Sequence, residues 1–369
     1  MLSSTDVFVI GGGPAGLAAA IAARQRGLRV VVADSVRPPI DKACGEALMP
    51  DAIKALEALG VAVPAADACH LRGVRFLCPG SFAEAVFPSG GSGLSVRRTT
   101  LHRLMTERAA ALGVDLLWQT VVTGISSEEV RLGNRSIRTQ WIVGADGANS
   151  RVRRWANLEP HSRTGLRYAF RRHYLVPPWT DRLEIYWGER SQAYATAVNR
   201  EQVCVSVASH DPGLRLEESL PAFPELHARL RGAETTSPER GSVSANRKLK
   251  RVWRDKVALI GDASGTVDAI TGEGLGLSFS QAVVLADCLA SNHLASYQAA
   301  HRRLATRPLW MARLMLTLDG HPGFQQRVLR ALRRHPDVFR RLLALHVGSL
   351  SPLHLALDGL TLGWGLLTA

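Results

Sequence analysis

The chain has 369 residues, 46% hydrophobic and 21% charged, a composition that supplies a large core and excludes wholesale disorder. Its five cysteines (Cys44, Cys69, Cys78, Cys204 and Cys288) make no CxxC pair and no Cys/His cluster, so no disulfide framework and no metal site is expected. The net charge of +13 comes mostly from arginine, and no nucleic-acid motif or aromatic platform accompanies it, so nucleic acid is not expected as a partner.

Residues 6–10 (DVFVI) read as a buried strand, Pro14 to Arg26 as an alanine-rich helix, and residues 28–33 (LRVVVA) as a second buried strand. This is a βαβ unit, and its turn, Gly11-Gly12-Gly13-Pro14-Ala15-Gly16, places G-x-G-x-x-G between strand and helix. Gly11 permits the tight turn, Gly13 lets backbone approach a pyrophosphate, and Gly16 lets the helix pack closely. Pro14 and Ala15 open the helix, whose free N–H groups and positive dipole end suit phosphates. Asp34 ends the second strand at the spacing of a carboxylate that holds an unphosphorylated ribose. The apolar stretch at the N-terminus has no basic run ahead of it, so no secretory leader is expected and a cytoplasmic location is.

A loop carrying Lys42-Ala43-Cys44-Gly45-Glu46 follows, then a helix from Pro50 to Leu59, strand-like runs at 71–77 and 83–87, and helical periodicity from Thr99 to Leu112. From Gly165 to Ser209 the pattern changes to alternating strands, an antiparallel sheet inserted into the α/β body. Alternation there puts Arg171 and His173 on one face and Arg172 and Tyr174 on the other. Val257 to Ile260 returns to a buried strand, and the rest reads as helical. Ten arginines and only two aspartates lie between Arg302 and Arg341, and Arg327, Arg330, Arg334 and Arg341 fall opposite Val328, Leu332, Phe339 and Leu342. With the apolar tail from Leu350 to Ala369, that spacing raises peripheral contact with the inner face of a membrane as an expectation beside plain core packing.

Two further strand ends carry motifs: Gly144-Ala145-Asp146-Gly147 and Gly261-Asp262-Ala263. With the first glycine turn, and in this order, they resemble the flavoprotein monooxygenase and geranylgeranyl reductase superfamily, which shares the para-hydroxybenzoate hydroxylase fold; the resemblance spans roughly residues 5 to 320. It implies an α/β fold: a Rossmann-like FAD-binding domain with an inserted antiparallel β-sheet substrate domain and a helical C-terminus. The FAD-binding parts are then 1–70, 99–160 and 251–295, the substrate domain 71–98 and 161–250, and the helical region 296–369. It implies Asp262 at the ribityl chain of FAD, and Asp146 and Gly147 in a turn serving FAD and a transient nicotinamide. Arg98, with Arg97 as a substitute, falls near the diphosphate; a helix-capping surface cation is its other reading. Gly272 and Gly274 open another helix, suited to the flavin pyrimidine edge. Cys44 and Gly45 would lie against the ring, Cys44 as a wall or a buried thiol. Glu46 is a proton donor or a loop carboxylate, and His173 an acid/base candidate.

Only one complete Gly-rich fingerprint is present, so NAD(P)H is expected as a transient co-substrate. The expected activity is oxidation or reduction of a hydrophobic small molecule in secondary, lipid or polyketide metabolism. Hydroxylation is preferred, because the prenyl-reductase pattern Tyr-x-Trp-x-x-Pro is broken at Tyr194-Ala195-Thr196-Ala197-Val198. Gly265, where aromatic hydroxylases carry His, points instead to a geranylgeranyl-reductase-like saturation of alkenes. Ala269 departs from the proline usual in both forms. No Trp-x-Trp-x-x-Pro run exists, which argues against a halogenase. A non-catalytic lipid-binding protein of the same fold is the distant alternative.

Overall fold

Strands with no polar face must be covered on both sides, and Val7–Ile10, Val30–Ala33 and Val257–Leu259 are buried along their length. The computed structural model describes residues 3–351. In it Ser4–Ile10 lies between Val30–Ala33 and Arg135–Gly144, parallel to both, and Val257–Leu259 extends the sheet beyond Arg135–Gly144. The register brings Ile10 level with Ala33 and Gly144, and Gly144 level with Leu259. Four chain segments therefore leave the sheet at one edge, the carboxyl ends of the strands, where ligands of open α/β sheets bind. Helix Pro14–Gln25 buries an alanine-rich face on this sheet and packs against helix Gly274–Ala290, with Leu17, Ile21, Phe279 and Leu285 fully buried. Each such side chain contributes about 1.5–3 kcal/mol by leaving water.

The second sheet is built from Gly73–Cys78, Ser81–Val86, Pro160–Leu175, Arg182–Trp187, Ser191–Ala197, Gln202–Ser209, Glu234–Thr235 and Arg240–Leu249. It is antiparallel except for one pair: Gly73–Cys78 runs parallel to Arg182–Trp187. These strands come from separate insertions joined by a long crossover, which frees them from hairpin geometry. Helices cover both of its faces. Leu183, Ile185 and Trp187 pack toward the C-terminal helices, whereas Tyr186 packs toward Leu216–Ser219 and Pro224–Leu230. A third, small sheet joins Ala47–Leu48, Ala68–Leu71 and Gly93–Val96.

The C-terminal helices are Tyr297–Leu318, with Pro308 inside it, Pro322–Arg334 and Pro336–His346. Val328, Leu332 and Phe339 are buried against the second sheet, with Leu342 packed beside them, while Arg327 and Arg330 face outward. The apolar stripe of the sequence is thus spent on the core. No helix among the described residues is long and apolar enough to cross a membrane. Most of the apolar tail, 352–369, lies outside the described residues.

Candidate flavin site

The glycine turn has no room on two sides and open space on the third. A Cβ at Gly11 (φ +111°) would lie 2.4 Å from the Ala145 carbonyl oxygen, and one at Gly16 would lie 1.8 Å from that of Gly11. At Gly13 it would meet nothing within 4 Å. Helix Pro14–Gln25 starts there without a side-chain cap, so its first N–H groups are free. His102, on helix Arg98–Ala111, braces the turn from below: its Nε2 lies 2.9 Å from the Gly12 carbonyl. Burial lowers the pKa of His102, which favours the neutral ring with Nε2–H donating. Asp34 accepts the Gly12 N–H at 2.7 Å on one oxygen and the Val36 N–H at 2.8 Å on the other.

The second motif is tied down by its own side chains. One oxygen of Asp146 accepts N–H groups of Arg151 (2.6 Å) and Val152 (3.1 Å), holding the start of helix Arg151–Trp155; the other is buried with no partner. Arg153, 5% exposed, donates to the carbonyls of Ala148 (3.0 Å) and Ala263 (3.1 Å), strapping the second motif to the third. Asp262 pairs with Lys42 at 3.1 Å, so the loop after Pro39 reaches across to the third motif. A further buried network lies beneath 265–272: Arg167 and Asp268 pair at 3.2 Å, each 1% exposed, and Gln192 accepts from Arg167 at 3.2 Å. Neither Arg167 nor Asp268 stands out in the sequence, because the pair exists only once the two sheets meet.

These turns enclose one cavity of about 1290 Å³, bordered by Gly11, Gly13, Pro14, Ala15, Asp34, Arg98, Asp146, Gly147, Gly261, Asp262, Gly272 and Gly274. Gly16 supports it from behind. Cβ atoms at Gly13, Gly147, Gly272 and Gly274 would meet nothing within 4 Å, so the backbone there is open to the cavity. Arg98 Nε is buried without a partner beside that space, and helix Gly274–Ala290 also begins without a side-chain cap. The donors and the open backbone fit a dinucleotide carrying a flavin. The cavity continues into an apolar lobe walled by Phe76, Leu183, Trp187, Met311, Leu332 and Phe339. Phe76 stacks on Trp187 (centroids 4.9 Å) and on Phe339 (5.4 Å). Tyr194 reaches the lobe with its hydroxyl 3.2 Å from the Ile270 carbonyl.

The loop residues divide. Cys44 and Gly45 border the cavity, and the half-buried Cys44 sulfur accepts the Glu46 N–H at 3.4 Å. Glu46 (φ +61°) is 3% exposed, and both its oxygens are engaged: one accepts the Arg98 N–H at 3.0 Å, the other lies 2.7 Å from His173 Nε2. His173 is fully buried behind Glu46 and does not border the cavity. Its Nδ1 faces Arg97 (3.3 Å), Arg171 (3.2 Å) and Ser237 (2.8 Å), all donors, so Nε2 carries the hydrogen given to Glu46. The strand alternation places the side chains as expected: Arg172 and Tyr174 point the other way and both reach Glu217. Glu46, His173 and Cys204 also bring ligand atoms within 4.8 Å of one another, a grouping that no local spacing announces. Two guanidiniums against the same imidazole oppose a cation there.

Fold and site together define a flavin-dependent oxidoreductase. The family model described as "FAD binding domain" matches residues 4–306, and the chain belongs to that family. It is 27% identical over 356 residues to menaquinone reductase of Mycolicibacterium smegmatis, covering 88% of this chain and 87% of that protein. It is 27% identical over 330 residues to digeranylgeranylglycerophospholipid reductase 1 of Methanothermobacter thermautotrophicus, covering 82% and 81%. Among solved structures, PqsL, a probable FAD-dependent monooxygenase from Pseudomonas aeruginosa, superposes with a TM-score of 0.73 at 23% identity, covering 87% of this chain and 98% of that one. At that identity the likeness is one of fold.

Proposed function

We propose that this flavoenzyme takes electrons from NAD(P)H and hydroxylates a hydrophobic small molecule. The observation that carries the reading is the continuity of the FAD cradle with an apolar lobe in one cavity of about 1290 Å³. When bound, FAD supplies two-electron redox chemistry at the junction of the two. The free N–H groups after Gly13 and the Arg98 guanidinium hold the diphosphate, and Asp34 the ribose. Asp262 holds the ribityl chain, exchanging its Lys42 partner for a hydroxyl, and the start of helix Gly274–Ala290 receives the pyrimidine edge. Glu46 fixes the loop that presents Cys44 and Gly45 to the ring, with His173 locking Glu46 from behind.

Hydroxylation is favoured by Thr196 and Asn199, which stand where the prenyl-reductase pattern has Trp and Pro. A second reading, saturation of an alkene, is favoured by Gly265. Its φ is +123° and a Cβ would fall 2.8 Å from the Arg247 carbonyl, so the histidine of aromatic hydroxylases has no place there. The reductase names of the two curated relatives point the same way. Turnover of phenolic and polyprenyl candidates under ¹⁸O₂, and again without oxygen, separates the two. Label in the product supports hydroxylation, and anaerobic gain of two hydrogens supports saturation. Purified protein with no flavin absorbance sinks both.

Entry of a lipophilic substrate from a membrane surface is the finer part of this reading. Leu314 and Phe324, 37% and 41% exposed, border the cavity, and Trp310 is 47% exposed on the same helix as Leu314. Failure to co-sediment with anionic vesicles removes it.

A further inference from the structure

Behind the large cavity lies a second pocket of about 230 Å³, lined by Asp51, Ser280, Arg303 and Arg307 among others. Glu273 borders both spaces. Its side chain is 6% exposed, yet neither carboxyl oxygen has a hydrogen-bond partner. The nearest cationic groups stand off: Arg307 at 3.7 Å from one oxygen and His346 Nδ1 at 3.6 Å from the other. Arg307, on helix Tyr297–Leu318, is already engaged by Asp51 from helix Pro50–Ala58. His346 ends helix Pro336–His346, and its Nδ1 is likewise buried and unpartnered. Buried polar atoms are normally satisfied, so carboxyl oxygens and an imidazole Nδ1 that face each other at a cavity wall without a close hydrogen bond call for a reason.

We propose that Glu273 is a proton relay between the two pockets, delivering a proton into the large cavity and regaining it from water in the small one. Burial, reinforced by Asp51 and opposed by Arg307, pushes Glu273 up to about 8, and burial holds His346 down to about 4. At neutral pH both are uncharged, and the carboxyl O–H is the group able to donate. A two-electron reduction of a bound acceptor, as in the saturation reading on which this inference rests, draws its electrons from the flavin and takes up protons. The Glu273 O–H bond breaks, a new O–H or C–H bond forms on the bound molecule, and the carboxylate left behind lies beside Arg307. A water of the small pocket then returns the proton, its own made good from solvent.

Two measurements test this. Infrared difference titration of purified wild type against Glu273→Gln reads the carboxyl group directly, without turnover. A protonated-carboxyl band that titrates with a midpoint near 8 and is absent from the variant is expected. Second, the flavin-loaded protein is reduced with dithionite under argon and reoxidised by menadione, an apolar acceptor of two electrons and two protons. Glu273→Gln is expected to slow reoxidation on the order of a hundredfold and to flatten its pH profile, and Glu273→Asp to restore the pH dependence. Variant bands or pH profiles identical to wild type overturn the relay. Wild-type protein that holds no flavin overturns the flavin reading, and the relay with it, while the infrared titration still reports the charge state of Glu273.

Discussion

Glu46 and His173, 127 positions apart, meet with Oε2 and Nε2 2.7 Å from each other and are both almost wholly buried. The contact locks the loop that carries Cys44 to strand Pro160–Leu175 of the second sheet, and the other Glu46 oxygen locks the same loop to the first N–H of helix Arg98–Ala111. The chemistry-bearing loop is thereby fixed from two sides by one carboxylate.

Replacing Glu46 by Ala leaves the buried His173 Nε2–H and the first N–H of helix Arg98–Ala111 without their acceptor. A loss of about 3 kcal/mol in unfolding free energy is expected, with reduced flavin retention. Thermal melts and the flavin-to-protein absorbance ratio check it; a melt unchanged from wild type removes the locking role.

Two neighbouring glycines should fail differently. Ala at position 13 meets nothing in the protein, so stability should stay within about 1 kcal/mol of wild type while flavin content collapses. At position 16 the added methyl runs into the Gly11 carbonyl, and a loss of about 1–3 kcal/mol is expected whether or not flavin is present. Equal melting temperatures for the two variants contradict this assignment.

Asp268→Asn leaves the Arg167 guanidinium, 1% exposed, without its counter-charge. Destabilisation of about 3–5 kcal/mol follows, with earlier proteolysis in 265–272. Denaturant unfolding checks the first and limited proteolysis the second.

The stability of the fold should also carry the sign of its buried neutral acid. Glu273 is raised from 4.5 to about 8, so as pH rises above 4.5 the unfolded chain ionises first and the native state loses stability until about pH 8. His346 acts at the acid end: lowered from 6.5 to about 4, it withdraws stability as pH falls through that window. Relative to Glu273→Gln, the wild type should melt progressively lower between pH 5 and 8, a difference that calorimetry reads directly.

Much of the cradle is legible in the residues themselves. Gly11, Gly13 and Gly16 lie at a strand-to-helix turn whose demands are local, and the strands end where their apolar runs end. The faces of Arg171 and Arg172 follow from two-residue alternation alone. Hydrophobic periodicity likewise marks the C-terminal helices, but not their target: Val328 and Phe339 read as core-facing by default, with a membrane as the other candidate, and it is the second sheet that takes them.

The sequence by itself determined the dinucleotide turn, the three strand-end motifs and the α/β body, because each depends on residues within a few positions of one another. Only the tertiary structure decided that His173 stands behind Glu46 and away from the cavity, that Arg167 meets Asp268 across 101 positions, and that Glu273 faces His346. Those relations come from how sheets and helices pack, and packing brings together side chains whose separation along the chain carries no signal of their contact.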